Sequence, residues 1–333
     1  MDIGNEIVLA LNQAFGPTAI VVCLAAIGLN VHFGYTGLLN FGQAGFMAVA
    51  AYGLAAFVAT WGWNFWLSLA VGILLSVILA LLLGVPTLRL RADYLAIVTI
   101  AGAEIIRFVL GAASLKAYFH GQDGLTSFAG SFKALNPFES GKRIGIGSFS
   151  WSTDDFFVMI VGWSLVALLC LMIWLLMRSP WGRVLKAIRE DEDAVRSLGK
   201  NVYSYKMQSL VIGGVIGGFA GFISALKQAS IAPSDFATDI TFFAYTVLLL
   251  GGAARVLGPV VGAMIFWFLV QFLDNFFSDA TAGSNPLIPA SIMTEQQASL
   301  VRFIFLGLAL MLLMIFRPQG IFGDRRELAI DAH

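Results

Sequence analysis

Three groups of polar residues interrupt an otherwise apolar chain, and each has a limited chemistry open to it. Glu104 and Arg107 stand three apart inside an apolar run, a spacing that puts both on one face of a helix. Charges at membrane depth are costly and turn toward protein or a water-filled path. The pair reads as an ion pair holding helices together, with a lining role in a translocation path as the alternative. A proton relay would need partners that the other apolar runs do not supply. Asn40 and Gln43 sit in LLNFGQAGFM. Their amides suit a bond to a neighbouring helix or to broken backbone, or contact with a passing polar solute. Gly42 and Gly45 permit close approach in either case.

The third group is the run Arg189-Glu190-Asp191-Glu192-Asp193, inside the segment RSPWGRVLKAIREDEDAVRSLGKNVYSYK at 178–206. Pro180 suits the first turn of a helix, and Gly199 suits its stop. Val184, Ile188, Val195 and Leu198 would form an apolar strip that the EDED run interrupts. The plain reading is a solvated connecting helix. The pattern fits better a helix that docks on a soluble partner and passes force into the membrane.

Other chemistries find no support. His32, His120 and His333 are scattered without ligand spacing, so no metal is expected. Cys23 and Cys170 lie in apolar runs and read as small buried hydrophobes. The pairs Gly141-Lys142 and Gly199-Lys200 are followed by Arg and Asn, so neither is a P-loop. No nucleophile-elbow or zinc-protease motif is evident, and neither an enzyme nor a bound cofactor is expected.

The elements that must position these residues follow from composition. Of 333 residues, 59% are apolar and 12% charged, against about 25% charged in soluble domains, and the mean hydropathy is +0.84. This is the composition of an integral membrane protein, and a net charge of zero argues against nucleic acid as a partner. Spans need about 20 apolar residues. Runs at 17–33, 40–60, 64–85, 93–112, 155–177, 208–228, 239–253, 258–277 and 298–316 give about nine. The first reads as a retained helix rather than a signal peptide. The seventh is short and ends in Gly251-Gly252, as a tilted, broken or re-entrant helix would. The expected fold is an all-α polytopic bundle forming one transmembrane domain over 1–333.

Charge sets the orientation. With 178–206 cytoplasmic, the inside receives Arg89, Arg91, the seven basic residues of that loop, Arg255, Arg317, Arg325 and Arg326, thirteen of the twenty Lys and Arg. Lys116, Lys133, Lys142, Arg143 and Lys227 fall outside. The N-terminus is then outside and the C-terminus cytoplasmic. Residues 113–154 form an outside loop with short strands, in which GQDGLTS reads as a turn. A second outside segment, 278–297, carries Pro286 and Pro289. Asp93 reads as a helix cap. Small residues recur every four positions at Gly213, Gly217 and Gly221, at Ala51, Ala55 and Ala59, and at Gly258 and Gly262, a pattern that lets helices pack closely in lipid.

Four stretches together resemble permease subunits of branched-chain amino acid ABC importers, of the LivM type. They are GYTGLLNFGQAGFMAVAAYGLA, LRLRADYLAIVTIAGAEIIRFV, the 178–206 loop, and GGAARVLGPVVGAMI followed by RPQGIFG. The resemblance covers about residues 28–323. It implies a second, homologous permease of the LivH type, two cytoplasmic ATPases that bind the ATP, and an extracytoplasmic substrate-binding protein. It also implies a coupling helix at about Glu190–Gly199. Arg189, Glu190, Asp191, Glu192, Asp193, Ala194, Leu198 and Gly199 would then form the ATPase contact. Asn40, Gln43, Glu104 and Arg107 would be candidates for the path. Relatives carrying urea or short amides share these motifs, and an ion-coupled secondary transporter is the competing class.

Overall fold

The computed structural model describes residues 3–89, 92–139, 141–281, 295–317 and 319–323. Arg91, Pro286, Pro289, Pro318, Arg325, Arg326 and His333 lie outside the described residues, and Asp93, expected ahead of the helix as its cap, lies inside the first turn of α5 (Ala92–Leu110). Helices α1 (Ile3–Phe15) and α2 (Pro17–Leu29) open the chain, and α2 runs on into a π-helical turn at Asn30–Tyr35. Then come α3 (Gln43–Ala59), α4 (Phe65–Thr87) and α5 (Ala92–Leu110). The next loop carries single turns α6 (Lys116–Phe119) and α7 (Gly130–Lys133) with strands β1 (Leu125–Thr126), β2 (Arg143–Ile146) and β3 (Phe149–Ser152). Helices α8 (Thr153–Arg178), α9 (Pro180–Glu190), α10 (Glu192–Ser197) and α11 (Val202–Gln228) follow. Strand β4 (Ser230–Ile231) precedes α12 (Asp239–Gly251), α13 (Gly258–Thr281) and α14 (Glu295–Phe316).

Each apolar run read from the sequence is helical, yet length and apolarity single out fewer than nine spans. Five described helices qualify: Pro17–Tyr35, Phe65–Thr87, Thr153–Arg178, Val202–Gln228 and Gly258–Thr281. A sixth is gained if Tyr94–Leu110 and Ala113–Phe119, bent by 57°, count as one. α3 has 17 residues and α12 only 13. At 1.5 Å per residue these reach about 26 and 20 Å, short of a core about 30 Å thick. This is a multi-pass membrane protein whose shorter helices are completed by neighbouring backbone.

α2 lies at the centre. It is apolar all round, and nearly every residue from Pro17 to Leu29 is buried, as such a helix must be. α11 packs on it through the glycine stripe. A Cβ at Gly213 would stand 2.5 Å from the Gly28 carbonyl of α2, and farther along the same stripe one at Gly221 would stand 2.2 Å from the Met47 carbonyl of α3. α4 inverts the pattern of a soluble helix. Ser68, Gly72, Ser76, Ala80 and Gly84 face inward every four residues, while Leu67, Leu74, Leu82 and Val85 point outward. Small residues inward and large aliphatics outward is the arrangement lipid favours.

Helix ends follow local chemistry. Asn64 caps α4 by accepting from the Trp66 amide (2.9 Å), and Ser152 caps α8 by accepting from Asp155 (3.1 Å). The C-terminal motif closes α12. Ile321 and Phe322 donate their amides to the Leu250 and Gly251 carbonyls (3.0 and 3.1 Å), which the ending helix would leave unpaired. Gly320, at φ +78°, makes the turn this requires.

The loop between α5 and α8 holds a β2–β3 hairpin, and β1 pairs antiparallel with β4. α1 is a helix the sequence reading did not assign. Its polar positions Asn5, Asn12 and Gln13 surround a short buried face of Glu6, Ala10 and Ala14. Asn12 also donates to the Ser148 carbonyl of the hairpin turn (2.6 Å).

Candidate functional site

The 178–206 segment is not one helix. α9 ends at Glu190, and Asp191 adopts extended backbone (φ −153°, ψ 104°) before α10 begins. The Asp191 carboxylate accepts from the Asp193 and Ala194 amides, both at 2.9 Å, and so caps α10. The break falls within the EDED run that was expected to interrupt the apolar strip, and the strip is corrected at Leu198. Leu185, Ile188 and Val195 are buried, but Leu198 points away and is 79% exposed. Glu190, Asp193, Ala194 and Gly199 are also exposed, and Glu192 is half-buried. Gly199 stops the segment at φ +75°.

Two contacts tie this segment to the bundle. Arg189 Nη1 donates to the Gly34 carbonyl at 2.6 Å, reaching the π-helical turn of the first span. Glu192 pairs with Lys206 at the start of α11 and with Arg196 at 2.9 Å. The Lys206 side chain is only 13% exposed, so this pair is shielded from the screening that weakens surface pairs. A cavity of 230 Å³ separates these links from the ends of α4 and α5, lined by Gly37, Leu88, Leu95, Arg189 and Lys206 among others. A wider groove of 630 Å³ runs between Arg89, Arg196, Lys200 and Tyr203.

Above the π turn lies a closed polar hub. Asn40 and Gln43 are both 0% exposed. His32 Nε2 lies 3.1 Å from the Leu210 carbonyl, which can only accept, so Nε2 carries the proton. Nδ1 then accepts from Asn40 Nδ2 at 2.9 Å. Asn40 Oδ1 accepts from the Gly42 amide (2.8 Å), and Gln43 Nε2 donates to the Ala25 and Gly213 carbonyls, both at 3.3 Å. The Tyr245 hydroxyl donates to the Asn40 carbonyl at 2.9 Å. Side chains of other helices meet the Phe41 amide of the unwound stretch, by Thr99 (3.0 Å), and the Ala44 amide in the first turn of α3, by Thr241 (2.9 Å). Non-helical backbone survives at this depth because protein covers it.

Glu104 and Arg107 meet as their spacing requires. Arg107 Nε and Nη2 both donate to Glu104 Oε2, at 2.9 and 2.7 Å. The other carboxylate oxygen accepts from the Thr238 hydroxyl, just ahead of α12. The pair links α5 to the entry of α12, and both side chains keep partial exposure, 29% for Glu104 and 27% for Arg107.

The four candidates therefore separate into two places, a sealed hub and a partly open ion pair. The sequence reading missed His32, Thr99, Thr241 and Tyr245 as hub residues. His32 alone carried a signal, as an ionisable group inside an apolar run. Asn30 was also missed. It bridges the Ala254 amide and the Arg255 carbonyl, both at 2.8 Å, and so pins the α12–α13 turn to the first span.

From residue 17 to 316 the sequence matches the family described as branched-chain amino acid transport system / permease component. The chain belongs to that family. The high-affinity branched-chain amino acid transport system permease protein LivM of Escherichia coli (strain K12) is 30% identical, over 90% of this chain and 67% of that protein. The probable LivM of Methanocaldococcus jannaschii is 25% identical, over 91% and 90%. A nucleoside ABC transporter permease, NupC of Lactococcus lactis, is 27% identical over 57% of this chain and 59% of its own. The relatives of this permease are transport proteins rather than enzymes, and their names span more than one class of solute.

Proposed function

We propose that this chain is one permease subunit of an ATP-driven importer for branched-chain or other small neutral amino acids. α10, with Arg189, Glu190 and Asp191 before it and Leu198 and Gly199 after it, is the coupling element. It docks on a cytoplasmic ATPase that binds the ATP, and this chain carries no cofactor. The supporting observation is the pairing of an exposed apolar tip, Leu198, with partly buried anchors from Arg189 to Gly34 and from Glu192 to Lys206. A push on the tip would load the first span and α11 together.

The remaining partners are a second permease of the LivH type, a second ATPase and an extracytoplasmic binding protein. The chain sits in the cell membrane with the Pro17 end of α2 outside and residues 317–323 cytoplasmic. ATP-driven closure of the ATPases would move the coupling helices and switch the permease pair by rigid-body motion. In the conformation seen, Asn40 and Gln43 hold the hub shut. Glu104 and Arg107 are the path-facing candidates, because they retain partial exposure.

The test is purification from native membrane in mild detergent, followed by reconstitution. Recovery of a P-loop ATPase and a second permease, with ATP-dependent leucine uptake, is the expected result. Uptake by this chain alone without ATP would overturn the proposal in favour of a secondary transporter.

A further inference from the structure

At the end of the bundle opposite α10, Lys227 lines three of the cavities. It ends α11, and its ammonium is turned onto the Thr18 hydroxyl at the start of α2. A lysine at a helix end ordinarily extends its charge into water. This one is half-buried and donates to a neutral partner between two helices.

The most apolar of the three cavities measures 290 Å³ and has two kinds of lining. Val21, Val22, Ile240 and Phe243 make one side apolar. Lys227, Trp267, Asp235 and Asp239 supply the polar groups. Asp235 is already engaged, accepting from the Ala232 amide at 2.8 Å. Asp239 is exposed in the first turn of α12. The Trp267 indole N–H is sheltered and finds no acceptor among the described residues. A neighbouring cavity of 320 Å³ shares Thr18 and Lys227 and is bordered by Arg143, Asp155 and Gln271. The two form a polar antechamber and a more apolar room, with the Lys227–Thr18 contact between them.

We propose that the 290 Å³ cavity receives a free amino acid with an apolar side chain. Lys227 binds its carboxylate, Asp239 faces its ammonium, and Val22, Ile240 and Phe243 enclose its side chain. A zwitterion matches one cation and one carboxylate lining the same cavity, with Lys227 half-buried there. The volume lies at the small end of ligand pockets, which run from about 300 to 1,000 Å³ for drug-sized molecules. That suits a single amino acid. The inference rests on the importer reading for its substrate class but places a site within this chain.

The test is equilibrium binding of radiolabelled L-leucine to the detergent-purified importer complex without its binding protein, beside ATP-driven uptake by the same complex in liposomes. Wild type should bind leucine, with leucinamide and 4-methylpentanoate each displacing it at least tenfold less well. Lys227→Met should weaken binding by tenfold or more, and Lys227→Arg should recover most of it. Trp267→Phe and Asp239→Asn, which remove a single hydrogen-bonding group or charge, should each weaken it severalfold even if Lys227→Met fails to assemble. Binding that depends on Lys227 supports the chamber whether or not uptake is seen, whereas missing uptake alone counts against the importer reading. Equal binding by Lys227→Met and wild type, or no binding by a wild type that transports, would overturn the chamber.

Discussion

Arg189, at the end of α9, donates a hydrogen bond of 2.6 Å to the carbonyl of Gly34 in the π-helical turn that ends the first span. The bond joins the short helix α9 to the first span, the most buried of the long apolar helices. Two residues away, His32 sits in the same turn and holds the hub of Asn40 and Gln43. π turns gather at functional sites because their extra residue disturbs the helical ladder locally. Under the proposed coupling role of α10, the disturbance lies where a push from the ATPase would enter the bundle.

A charge-assisted bond of this kind is worth about 1.5–3 kcal/mol. Arg189→Ala should therefore lower leucine transported per ATP hydrolysed by roughly tenfold, and Arg189→Lys by less. Parallel uptake and hydrolysis measurements in liposomes check this. An unchanged ratio would remove Arg189 from the coupling route.

Docking and local folding can be separated at α10. Asp191 is its cap, so Asp191→Ala should cost about 1 kcal/mol, with Asp191→Asn close to neutral. Leu198 is exposed, so Leu198→Ser should leave stability within about 0.5 kcal/mol yet weaken capture of the ATPase. Thermal unfolding beside co-purification distinguishes the two. Reversing all charges from Glu190 to Asp193 would confound them, because it destroys the cap and the Lys206 pair together.

The glycine stripe of α11 makes a packing prediction. A Cβ at Gly217 would lie 2.4 Å from Gln43 Nε2, and one at Gly221 would lie 2.2 Å from the Met47 carbonyl oxygen. Gly221→Ala meets backbone and should destabilise by about 1–3 kcal/mol or more. Gly217→Ala meets a side chain that can shift, and should cost less while disturbing the hub. Gly307→Ala, with nothing within 4 Å, is the control. Unfolding temperatures of the three in detergent should follow that order.

Glu104 and Arg107 should show strong coupling. Replacing one leaves the other charge unmatched, the costlier state, so the double Leu variant should retain more folded protein than Glu104→Leu alone. Thr238→Val should weaken the link to α12 with no loss of charge. Yields after gel filtration check the order. A double variant that is folded but inactive would assign the pair to the path.

The five or six long apolar helices were legible because each needs a long apolar run, and few other structures produce one; the count of nine was not, because α3 and α12 are too short to qualify by length. α1 was not, since its buried face is three short positions among polar ones. Nor was the break at Asp191. The same residues read equally well as one amphipathic helix, and only the Asp191 cap and the turn of Leu198 away from the bundle decide the matter. Glu104 and Arg107 were legible as a pair because their contact is local. The hub was not, because His32 reaches Leu210 and Gln43 reaches Gly213, partners that lie far off in sequence and leave no mark on local pattern.

The central claim is that α10 is where an ATPase meets this permease. A photo-crosslinking amino acid at position 198, in the complex purified from native membrane, tests it most directly. The account predicts a crosslink to the P-loop ATPase. Crosslinks only to lipid or to another permease, in a complex that still contains the ATPase, would contradict it.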